Sequence, residues 1–144
     1  GCVFCQAASA AAGSDDPLIV HRGTHAYVIL NLYPYNNGHL MVVPGRHLAT
    51  LGAATPDELT ELMRLTRDVE RVITEAYAPH GINVGINLGR AAGAGVADHL
   101  HIHLVPRWNG DTNFMTVVAD ARVLPETLEQ TAERLRPLFA RLHE

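Results

Sequence analysis

His99-Leu100-His101-Ile102-His103-Leu104-Val105 alternates imidazole with aliphatic side chains and then adds a second apolar residue. Side chains alternate faces along a strand, so this stretch predicts a half-buried strand with Leu100, Ile102 and Leu104 inward and His99, His101 and His103 sharing the other face. At about 3.3 Å per residue the outer two histidines are then roughly 13 Å apart. Imidazoles crowded on one face depress each other's pKa, so most are expected to be neutral near pH 7. A neutral ring nitrogen is a nucleophile or a metal ligand. A solvated strand that merely carries histidine is the bland alternative, and three in alternation argue against it.

The remaining strands are read outward from this one. Leu18 to Val20 and Ala26 to Leu30 flank Arg22-Gly23-Thr24 as a hairpin, with His21 and His25 at its surface. His39 to Pro44 makes another strand with Gly45-Arg46-His47 as its exit, after a turn-rich connection from Asn31 to Gly38. Ile82 to Asn87 and Phe114 to Val118 complete the set. Thr55-Pro56-Asp57-Glu58 is a capping box with proline at the first helical position. The helix it opens places Leu59, Leu62, Met63, Val69, Val72, Ile73 and Tyr77 toward a core and Glu61, Arg64, Asp68 and Arg71 elsewhere. His80 is expected as a cation at its end. The spacing of Leu128, Leu135, Leu138 and Leu142 suggests a C-terminal helix from near Pro125, with a kink or stop at Pro137 and an inert, frayed His143.

The 144 residues suit one domain, 1–144, burying roughly two thirds of the unfolded surface. Apolar content of 47% and charged content of 18% describe an ordinary globular chain. A formal net charge of −4 argues against a general nucleic-acid-binding surface. With no long apolar run and no signal-like start, neither membrane insertion nor secretion is expected. The given sequence begins at Gly1, without an initiator Met. Two cysteines three apart make no disulfide framework and fit a reduced, cytoplasmic compartment.

Two further stretches carry chemistry. Cys2-Val3-Phe4-Cys5 is half of a zinc site, a redox motif or a pair without function, and no strand precedes it as redox motifs usually require. The Ala-rich residues that follow, to Asp16, read as a linker or a short surface turn. Gly89-Arg90-Ala91-Ala92-Gly93-Ala94-Gly95 leaves its backbone unobstructed, so it is either an anion cradle ahead of the histidines or a plain turn.

Taken together, the H-φ-H-φ-H-φ-φ run at His99 to Val105, where φ is apolar, Gly38-His39, Pro44 to His47 and Asn87-Leu88-Gly89 resemble the histidine-triad (HIT) family of nucleotidyl hydrolases and transferases. The likeness spans nearly the whole chain. Asn31 to Pro44 and His99 to Asp111 look most like bacterial diadenosine tetraphosphate phosphorylases. The resemblance implies an α+β fold, a five-stranded antiparallel sheet with one long helix and a C-terminal helix, assembled as a homodimer. It implies a structural zinc on Cys2, Cys5, His47 and His99. It casts His101 as the nucleophile that forms a nucleotidyl-histidine intermediate, His103 as a donor to phosphate oxygens and His39 as a supporting residue. Asn31 aligns with a ribose contact and Asn87 with a phosphate contact, while Trp108 joins the substrate-binding set. Many members place Gln and then Ser or Thr before the triad. Here Gly93, Ala94 and Gly95 stand there instead, and the backbone amides of Ala94 and Gly95 are the candidate replacements. Arg90 and Arg107 are candidates for holding inorganic phosphate as a second acceptor. A phosphoramidate or other nucleotide hydrolase and a nucleotide-binding sensor with negligible turnover are the alternatives to a phosphorylase.

Overall fold

The computed structural model describes residues 2–9, 16–32, 37–94, 99–111 and 126–143. Phe114 to Val118, Gly95, Tyr33 and Tyr35 lie outside them. Strands β1 (Ile19–Arg22), β2 (Ala26–Leu30), β3 (Leu40–Pro44), β4 (Gly81–Ile86) and β5 (Ile102–Arg107) form one antiparallel sheet in the order β1-β2-β3-β5-β4. Helix α1 (Val3–Ser9) precedes them, α2 (Pro56–Tyr77) joins β3 to β4, and α3 (Leu128–Leu142) ends the fold. The architecture is the expected α+β one.

The two faces of the sheet are covered differently. On one, Val28, Leu30, Leu40, Val42, Ile102 and Leu104 pack against Leu62, Leu65, Val69, Val72 and Ile73 of α2 and Leu135 and Phe139 of α3. On the other, Ile19, Tyr27, Ile29, Met41 and Val43 meet only Phe4 and Ala7 of α1 among the buried apolar residues described. Cross-strand register puts Met41 opposite His103, so the histidine face is the α1 face.

Helix α2 starts as its sequence dictates. Thr55 Oγ1 accepts from the Glu58 amide while the Glu58 carboxylate accepts from the Thr55 amide. Several details depart from expectation. Leu59 and Met63 are exposed, at 41% and 66%, and Leu65 takes the inward position. Glu61 is buried because its carboxylate accepts the main-chain amides of Thr24, His25 and Ala26, capping the β1–β2 turn. Asp68 is buried too, with His143 Nε2 3.2 Å from its Oδ2, and the His143 ring stacks on His21. His143 is therefore engaged, and His21 packs between it and Phe139 rather than lying on the surface. Helix α3 begins at Leu128 with its own capping box from Thr127 and Gln130, and runs through Pro137 to Leu142. Pro137 neither stops it nor removes Leu135 and Phe139 from the core on either side. Leu142, at its end, is exposed.

At the N-terminus the sequence suggested only a linker after Cys5, yet Val3–Ser9 is helical. Seven residues cannot hold a helix alone. Here Tyr27 Oη donates to the Phe4 carbonyl at 2.7 Å and Arg22 Nη2 to the Ala7 carbonyl at 3.3 Å. His80 lies beyond the cap of α2 and braces a neighbouring turn. Ala78 ends α2 in a left-handed conformation, and His80 Nδ1 accepts the Asn109 amide at 2.8 Å, bracing the turn after β5.

Candidate active site and metal centre

Strand β5 begins at Ile102, later than the alternation suggested, so His99 and His101 belong to its extended approach. The ladder with β3 ends at Val42–Ile102 because the chain beyond faces Pro44, which has no N–H to donate. Leu100 instead donates its amide to the Leu48 carbonyl at 2.7 Å, and the His99 ring takes the Pro44 carbonyl.

His99 has two tasks for its two nitrogens. Fully buried, it donates from Nε2 to Pro44 O at 2.8 Å, which leaves the Nδ1 lone pair facing the cysteines. Nδ1 lies 3.3 Å from Cys2 Sγ and 3.4 Å from Cys5 Sγ, and His47 Nδ1 lies 3.1 Å from Cys5 Sγ. The ligand atoms of Cys2, Cys5, His47 and His99 all fall within 4.8 Å of one another. A tetrahedral zinc ion with bonds of about 2.0–2.3 Å separates such atoms by about 3.5 Å, so the donor set and spacing fit one. Four protein ligands leave no open position for water.

His101 is oriented from behind. Its ring is buried, and Nδ1 donates to the His99 main-chain carbonyl at 2.9 Å. A neutral ring that donates from Nδ1 carries its lone pair on Nε2. Phe4 lies against this ring at 4.9 Å between centroids and against His99 at 5.4 Å. The sequence reading missed Phe4, whose only signal is its place between the two cysteines.

His103 and His39 form a neutral pair. His39 Nε2 and His103 Nδ1 are 3.1 Å apart, and Asn31 Nδ2 is 3.3 Å from both ring nitrogens of His39. Burial, reinforced by His103, pushes His39 down to about 4. Burial, reinforced by His101, also lowers His103. With Asn31 donating to His39 Nδ1, His39 donates onward to His103 Nδ1, and the His103 proton is placed on Nε2 as an outward donor.

The loop candidates are built differently from expectation. The segment after β4 is a tight turn in which the Ala92, Gly93 and Ala94 amides donate to the Gly89 and Arg90 carbonyls. The Ala94 amide therefore goes to Gly89 O rather than to a ligand. Gly93 adopts φ +94°, and a Cβ there would lie 3.8 Å from Asn87 Nδ2, so Asn87 stands beside this turn, exposed. Arg107 gives Nε and Nη2 to Asp111 at 2.6 and 2.7 Å and Nη1 to Asn83 at 2.6 Å. That engagement weakens its candidacy for phosphate. Asp111 also accepts the Trp108 amide, which places half-buried Trp108 in the braced turn after β5. Arg90 is exposed.

A family model described as the HIT domain matches residues 14–110. The chain belongs to the HIT family. Among relatives, a Mycobacterium tuberculosis protein named AP-4-A phosphorylase is 49% identical over 127 residues, covering 88% of this chain and 65% of its own length. A Schizosaccharomyces pombe protein named bis(5'-nucleosyl)-tetraphosphatase (asymmetrical) is 36% identical over 93 residues, covering 65% of this chain and 50% of its own. The chain thus spans about two thirds or less of either relative. The crystal structure of a Zn-bound histidine triad family protein from Mycobacterium smegmatis superposes with a TM-score of 0.78 at 28% identity, covering 99% of this chain and 96% of that one. Among the described residues of this HIT chain, no helix is long and apolar enough to cross a membrane.

Proposed function

We propose that the chain is an enzyme that cleaves dinucleoside polyphosphates at the α-phosphate through a nucleotidyl-His101 intermediate. The observation that carries this reading is the 2.9 Å hydrogen bond from His101 Nδ1 to the His99 carbonyl, which leaves Nε2 unprotonated and poised. That lone pair forms the N–P bond as the P–O bond to the departing polyphosphate breaks. His103 Nε2–H supplies a hydrogen bond to the phosphate oxygens as charge builds, and His39 with Asn31 keeps that proton on the correct nitrogen. Asn31 also serves the ribose, Asn87 the phosphate chain, and Trp108 the substrate. Water or inorganic phosphate then attacks phosphorus and displaces His101. Phosphorolysis is favoured by the 49% identity to a protein named a phosphorylase.

Zinc on Cys2, Cys5, His47 and His99 supplies no chemistry to these steps. It pins α1 and the exit of β3 beside the nucleophile. Exposed Met63 and Val84, with the open edge of β4, support a homodimer formed along that edge.

The deciding experiment gives purified protein diadenosine tetraphosphate with and without phosphate and resolves the products by anion exchange. ADP plus ATP only with phosphate supports a phosphorylase. AMP plus ATP in both conditions makes water the acceptor. No cleavage overturns the tetraphosphate assignment. Metal analysis of the same preparation is expected to give one zinc per chain, and a Cys5→Ser variant substantially less.

A further inference from the structure

Beside His39 in the chain lies a second polar cluster that the proposed chemistry does not use, with Glu126 at its centre. Tyr77 Oη donates to Glu126 Oε1 at 2.6 Å and Thr131 Oγ1 to the same oxygen at 3.0 Å. Arg134 Nε donates to Oε2 at 2.8 Å, and its guanidinium carbon lies 5.6 Å from the centre of the Tyr77 ring. Burial foremost, then the Glu126 contacts, raises the Tyr77 phenol well above its ordinary range, so it stays a donor at any physiological pH.

The cluster grips the β2–β3 connection in two places. Asn37 Oδ1 accepts the Glu126 amide at 3.2 Å. Gly38, at φ +78°, comes so close to Tyr77 that a Cβ on it would lie 2.7 Å from Tyr77 Cε2. The next residue is His39, whose carbonyl accepts the Asn31 amide at 3.0 Å on its other side. Helix α3 does not need this grip in order to dock. Arg136 ties it to the Pro17 and Ile19 carbonyls, and Leu135 and Phe139 are wholly buried in the core.

We propose that Tyr77 and Glu126 are positioning residues: by clamping Asn37 and Gly38 between the end of α2 and the start of α3, they set the His39 ring against His103. The part of this proposal that concerns turnover rests on the reading of the reaction given above. The part that concerns the rings does not.

The test uses Tyr77→Phe, which keeps the ring on Gly38 and removes its link to Glu126, and Glu126→Ala, which removes the hub. Long-range proton–nitrogen correlations report the tautomer and hydrogen bonding of the His39 and His103 rings, and steady-state kinetics use diadenosine tetraphosphate. Glu126→Ala is expected to shift both rings' nitrogen resonances and to lower kcat about tenfold with KM within about twofold of the parent. Tyr77→Phe is expected to do the same to a smaller degree, about threefold in kcat. Lower Tm with unchanged ring resonances and kcat in both variants overturns the proposal and leaves the cluster a structural one. If the parent cleaves no tetraphosphate, the reading of the reaction fails by itself, and the ring resonances still decide whether the clamp sets His39.

Discussion

The two faces of the sheet are held by different physics. The face under α2 and α3 is a continuous apolar layer in which Val28, Val42, Leu104, Val69, Leu135 and Phe139 are essentially inaccessible. The face under α1 has a seven-residue helix, two aromatic contacts and a cluster of sulfur and imidazole donors. The first confers stability through buried area; the second places individual atoms. The reaction proposed above uses the second face, because lone pairs and protons are positioned by hydrogen bonds, which apolar packing alone cannot direct.

That contrast is sharpest at His101. On the proposed reading, in which His101 is the nucleophile, a His101→Ala variant should lose at least about a thousandfold in kcat/KM while its unfolding midpoint stays close to the parent's. A labelled nucleotidyl-protein adduct, trapped by rapid quench, should vanish with it. Persistence of the adduct would move the nucleophile elsewhere. Leu104→Ala probes the opposite face and should cost about 2–5 kcal/mol in urea unfolding, the range for emptying a buried leucine site. A loss under about 1 kcal/mol would mean that the apolar layer collapses into the gap.

Acid should weaken the histidine face selectively. His39 titrates near 4 in the folded chain, below its ordinary value, so the unfolded chain binds a proton first as pH falls. Stability is therefore full above about pH 6.5 and declines between there and about 4, by an amount on the order of 1–3 kcal/mol for this residue. His39→Gln should flatten that part of the pH–stability curve, leaving the smaller slopes of His99, His103 and His21, which burial also lowers. An unaltered slope would show that His39 is not responsible. The smallest effect expected is at the start of α2, where Thr55→Ala removes a cap and should cost about 1 kcal/mol without changing turnover.

The better-packed face was also the more legible one. Ala26–Leu30 and the capping box at Thr55 follow from residue order alone, because local propensity and burial agree there. The histidine strand was recognisable by its alternation, but its true start was not: side-chain alternation continues through His99 and His101, whereas the ladder stops for lack of an N–H on Pro44. Helix α1 was invisible because a heptamer has no helix stability of its own, and its partners Tyr27 and Arg22 stand across the fold. The expected site residues split in the same manner. His39, His103 and Asn31 come together, as do Cys2, Cys5, His47 and His99. The inward turn of the Ala94 amide and the engagement of Arg107 with Asp111 depend on backbone hydrogen bonds and a side-chain pairing that composition does not encode.

The acceptor that holds the His101 proton on Nδ1 is the main-chain oxygen of His99, not its imidazole. Every amino acid brings that oxygen. The orientation of the His101 ring is thus insulated from the identity of residue 99, and a lineage can exchange the sulfur–imidazole cluster for another way of fastening its N-terminus without losing the hydrogen bond that holds the neighbouring histidine.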